Sequence, residues 1–111
     1  MIRWSPQTII DGLPGVKEET VKKAVENPKK FPPYYVVTLS YNPNNLLDIW
    51  KVKELHKPFY QDKDLVIVGV SHTREGAKDI AFRILEKSYL ETGEFDLRGA
   101  YDPPGGKEAA S

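Results

Sequence analysis

The side chains with the clearest chemical potential lie in VIVGVSHTREGAKDI, Val66 to Ile80. There an apolar run ends in Gly69-Val70-Ser71-His72-Thr73, and Arg74-Glu75-Gly76 opens a helical pattern. A strand that feeds a helix through small, polar and basic residues is a common way to hold an anion, because the first amides of a helix have no partner within it. Ser71, His72, Thr73 and Arg74 would add donors to such a site. The motifs that make the reading specific are incomplete. Gly69 and Gly76 are not followed by the Gly-Lys-Ser/Thr of a phosphate loop, and no G-x-G-x-x-G occurs. A nucleophile elbow needs a second glycine where Thr73 stands. The expectation is a strand-to-helix turn capped by Thr73 or Ser71, with anion binding by residues 71–74 as the functional alternative.

A second fragment, TIIDGLPGVKEETVKKAV near the N-terminus, resembles the turn of helix-hairpin-helix DNA-binding proteins at Leu13-Pro14-Gly15-Val16. In that family a glycine-hydrophobic-glycine turn offers its amides to a DNA phosphate. Gly15 and Val16 match, whereas Lys17 replaces the second glycine. The resemblance implies a nucleic-acid site built on Gly15, Lys17, Lys22 and Lys23. A tight turn between two helices also accounts for Leu-Pro-Gly without any DNA.

Aromatic residues are the third resource. Tyr34, Tyr35, Tyr41, Trp50, Phe59 and Tyr60 crowd the middle of the chain beside Lys51, Lys53 and Lys57. Such residues pack strands, line protein interfaces or stack bases. Tyr35, Trp50, Phe59 and Tyr60 are the expected interface residues. The two histidines, His56 and His72, have no ligand spacing between them, and cysteine is absent. No cofactor, metal site or catalytic group is therefore expected.

The elements that position these residues follow from periodicity. Ser5-Pro6 reads as a helix start, predicting a short helix to Asp11 and a second over about Lys17 to Glu26. Tyr34–Tyr41 is rich in aromatic and β-branched residues and predicts a strand. LLDIWKVKEL, Leu46 to Leu55, fits neither period well; a strand paired with the preceding one is favoured, and a helix would convert the middle of the chain to βαβ. Leu65–Val70 is apolar on both faces and predicts the central strand. Ala77, Ile80, Ala81, Ile84, Leu85 and Ser88 form a helical stripe closed by Gly93. Residues 94–98 alternate as a short edge strand would. The expected fold is α+β: an N-terminal helical hairpin, a small, mostly antiparallel sheet, and a long amphipathic helix on one sheet face. Residues 1–101 form one domain and 102–111 a disordered tail.

Composition bounds the function. The 111 residues include 16 basic and 16 acidic groups, so the formal net charge is zero. A dedicated nucleic-acid binder usually carries a basic excess. The start, MIRWSPQTII, lacks the apolar stretch of a signal peptide, and no run is long enough to cross a membrane. The expectation is a cytoplasmic, non-enzymatic interaction domain whose partner is another protein or a second copy in a homodimer. Nucleic-acid binding is the alternative.

Overall fold

The computed structural model describes residues 2–11, 15–27, 33–40, 46–60 and 63–93, together with Leu97 and Tyr101. The elements run β1 (Ile2–Asp11), α1 (Glu18–Glu26), β2 (Tyr35–Leu39), β3 (Leu47–Lys51), α2 (Val52–Leu55), a single 3-10 turn (Pro58–Tyr60), β4 (Leu65–Ser71) and α3 (Arg74–Thr92). The sheet order is β1-β4-β2-β3. β4 runs parallel to β1 and antiparallel to β2, which pairs antiparallel with β3. The result is a mixed four-stranded sheet with helices, consistent with α+β. The expected turn at 42–45, edge strand at 94–98 and tail at 102–111 lie outside the described residues, apart from Leu97.

The N-terminal helical hairpin is corrected: its first half is strand. Ile2, Arg3 and Trp4 align with Leu65, Val66 and Ile67, and Ile9, Ile10 and Asp11 align with Gly69, Val70 and Ser71. Between these two ladders β1 bulges. Ser5 Oγ accepts from Gln7 N at 3.2 Å, and the Thr8 hydroxyl is shared between the Ser5 carbonyl at 2.6 Å and the Ile67 carbonyl at 3.0 Å. The Ser-Pro signal thus marks a serine turn inside a bulged edge strand, a site where a proline without an N–H is tolerated. Gly15, with φ of 76°, then precedes a single helix rather than joining two.

The ambiguous segment 46–55 proves to be a strand followed by a helical turn, which is why neither period fitted. Val36 and Trp50 are partners in the β2–β3 hairpin. Lys51 N donates to Glu54 Oε1 at 2.9 Å, turning the chain from strand into α2. The route to a βαβ core through a helix over the whole segment is closed.

β4 is buried along its entire length. On one face Val21 and Val25 of α1, with Val52 and Leu55 of α2, pack over Leu65, Ile67, Val70, Val36 and Trp50. On the other face Ala77, Ile80 and Ile84 of α3 pack over Val66, Val68, Val37 and Leu39, joined by Leu97 and Tyr101. Val68 is the extra residue of a β4 bulge, since Val37 pairs with Gly69 while Thr38 pairs with Ile67. The bulge brings Gly69 under α3, where a Cβ would lie 2.5 Å from Ile80 Cγ2. Glycine is what lets the helix approach this closely. α3 ends at Gly93, φ 73°, whose N–H donates to the Tyr89 carbonyl at 2.7 Å.

Candidate functional site

Three surfaces bear on function, two of them built on residues singled out in the sequence. The first is one end of the sheet. Asp11, Ser71, Tyr35 and Lys51 stand in register across β1, β4, β2 and β3. Ser71 is buried, and its Oγ accepts from Thr73 N at 3.3 Å. Thr73 caps α3, its Oγ1 accepting from Gly76 N at 2.9 Å. Two of the amides that would serve an anion at this turn are thus donors to the chain's own hydroxyls. A Cβ on Gly76 would fall 2.1 Å from Ser71 Oγ, so this glycine serves close packing of helix on strand. His72 and Arg74 are exposed. Sequence reading missed Asp11 here: Arg83 pairs with Asp79 and also lies 4.0 Å from Asp11 Oδ2. The i,i+4 spacing of Asp79 and Arg83 shows their pairing, but the contact with Asp11 depends on β1 being a strand.

The second surface is aromatic. The Trp50 and Tyr60 rings meet edge to face with centroids 4.7 Å apart, and Tyr60 meets Phe59 in the same way at 4.9 Å. Trp50 is only 8% exposed, and its Nε1 donates to Thr38 Oγ1 at 2.8 Å. Phe59 ends the ladder at 64% exposed, with the Lys63 ammonium 5.3 Å from its ring centre. Tyr35 is separated from this group: strand alternation sends it to the α3 face, where it packs against the second core cluster.

The N-terminal lysines are divided as well. Lys17 precedes α1 and is exposed, as is Lys23. Lys22 lies 3.4 Å from Glu18 and sits 5.4 Å from the centre of the Trp4 ring. At the other end of α1 the Val25 carbonyl accepts from His56 Nε2 at 2.6 Å, which places a proton on Nε2 and ties the helix to the end of α2.

The third surface went unnoticed in the sequence. α3 presents Phe82, Tyr89 and Leu90 outward, 64%, 55% and 74% exposed. Glu86 lies midway between Phe82 and Leu90 at four-residue spacing, on one ridge of the helix. Most other charges on α3 pair along the helix: Lys78 with Glu75, Arg83 with Asp79, and Lys87 with Glu91.

Among the described residues no cluster of three His, Cys, Asp or Glu is arranged to hold a metal ion, and no helix is long and apolar enough to cross a membrane. No family model, curated protein or solved structure matches the chain.

Proposed function

We propose that this protein is a small non-enzymatic interaction domain that docks a protein partner on the outer face of α3. The observation that supports the reading is the exposure of Phe82, Tyr89 and Leu90 on a helix whose inner face is already spent on the core. Isolated surface apolar residues are ordinary, whereas three large ones on the outer face of one helix have the composition of an interface centre. The partner is a different protein or a second copy. A photo-crosslinking residue placed at position 82 is expected to give an adduct in the expressing cell, and its mass tells the two apart. The same group at position 53, on the opposite side of the sheet, is expected to give none. A folded variant that yields only monomer from position 82 would falsify the reading.

Nucleic-acid binding is the second reading. It draws on exposed Phe59, with Lys63 over its ring and Lys57 nearby in sequence, and no longer on a helical hairpin. Gel-shift titration with single-stranded RNA and DNA tests it. Binding through this surface is expected to weaken steeply with added salt and on Phe59→Ala. No shift at physiological salt removes it.

A further inference from the structure

We infer that the occupant of the α3 face is a cationic amphipathic helix from another protein, with a Lys or Arg seated between two apolar anchors. The inference rests on the docking reading above and adds the chemistry of the partner. Its basis is Glu86. Phe82, Glu86 and Leu90 form a single i±4 ridge, the kind of row that helices interdigitate. The carboxylate stands between two apolar side chains that any partner helix would cover. Among the described residues Glu86 has no ion-pair partner, a state shared on α3 only by Arg74 at the helix start.

A partner that covers Phe82 and Leu90 must therefore do something about Glu86. Desolvating an unpaired carboxylate is strongly unfavourable, whereas a cation placed opposite it removes most of that penalty. A second copy of this chain supplies the wrong charge. Laid antiparallel about a two-fold axis with Phe82 of one helix on Leu90 of the other, it sets Glu86 beside its own image. A parallel two-fold arrangement does the same. Sliding the register by one turn sets Glu86 against Phe82 of the partner copy; a second turn brings Lys78 opposite it, but Lys78 already pairs with Glu75 and Leu90 then meets Arg74 in place of an apolar anchor. The ridge spans about 12 Å along the helix axis at 1.5 Å per residue. A complementary helix thus carries its anchors about two turns apart with the cation between them, a helix-in-groove pattern.

The test uses two helical peptides with leucine anchors two turns apart, identical except for Arg or Glu between the anchors. Binding to the full chain is read by fluorescence anisotropy, with circular dichroism as a check on the fold of each variant. Wild type is expected to bind the Arg peptide roughly tenfold more tightly than the Glu peptide or better, and Glu86→Arg is expected to reverse the order. Phe82→Asp is expected to weaken whatever binding occurs. Equal affinity for the two peptides, or no binding of either, overturns the cationic-partner inference alone. A dimer of the wild-type chain in sedimentation that Phe82→Asp dissociates also overturns it, while favouring docking on this face. Peptide binding that survives Phe82→Asp and Leu90→Asp in a folded chain overturns the docking reading itself.

Discussion

At the scale of single residues, the glycines of the strand-to-helix region define close approaches. Gly69 faces Ile80 Cγ2 so closely that an added Cβ must displace a fully buried side chain. Gly69→Ala is expected to cost about 1–3 kcal/mol, the range for overpacking a core. The cost should largely vanish in an Ile80→Ala background, because the two changes share one contact. Urea denaturation of both single variants and the double variant measures this; an undiminished cost in the double variant would place the strain elsewhere. The stretch VGVSHTREG looks like a phosphate loop because it uses the same small and hydroxyl residues. Here Gly76 clears Ser71, and Ser71 and Thr73 take up amides. Residue type alone does not separate these uses, since both need a backbone without a Cβ and a nearby acceptor.

At the scale of elements, the predicted stripe of α3 docks as expected. Ala77, Ile80, Ile84 and Ser88 are buried, with Ala81 and Leu85 partly covered. Ile84→Ala is expected to lower stability by about 2–5 kcal/mol, read as a shift in the denaturant midpoint with the slope unchanged. An unmoved midpoint would mean that the helix does not rest on β4. α3 and β4 were legible because their patterns are unbroken. β1 was not: its bulge at Ser5–Thr8 divides Ile2 and Trp4 from Ile9 and Ile10, so the alternation that announces a strand is interrupted. The strand β3 and the turn of α2 meet without a loop, and each spoiled the period of the other. The outer face of α3 was overlooked for a related reason. A helix read from its core stripe is assumed polar elsewhere, and Phe82, Tyr89 and Leu90 contradict that assumption only after the inner face is known.

At the scale of the whole molecule, the second core cluster is completed from the C-terminal side. Leu97 and Tyr101 are buried against it. Ending the chain at Gly93 is therefore expected to lower the melting temperature by several degrees, whereas ending it at Tyr101 is expected to leave it unchanged. A melting temperature indifferent to both truncations would show that Leu97 and Tyr101 add nothing to the core. Burial, reinforced by the negative charge of Glu91, raises the pKa of the Tyr101 phenol above 10.0. The neutral form is thus favoured in the fold. Its contribution is fully present below the unfolded pKa near 10 and is lost as pH rises through the higher folded value. Denaturation midpoints measured from pH 8 to pH 11 should fall less steeply for Tyr101→Phe than for wild type. Parallel curves would remove Tyr101 from the alkaline transition.

The pairing of β1 with β4 also sets a timetable. The bidentate contact of Arg3 with Asp64, at 2.8 and 2.6 Å, joins residues 61 positions apart. β1 leaves the ribosome well before β4, the strand that flanks it and the last of the described strands. At about 5–20 residues per second, β1 waits several seconds with an unpaired backbone edge and Ile2, Trp4, Ile9 and Ile10 uncovered. The β2–β3 hairpin, local in sequence, can close in that interval, and β1 is recruited at the end, as a non-local contact of high closure entropy. The nascent chain is thus most exposed to misassociation at β1, where Pro6 has no backbone N–H to offer a foreign strand.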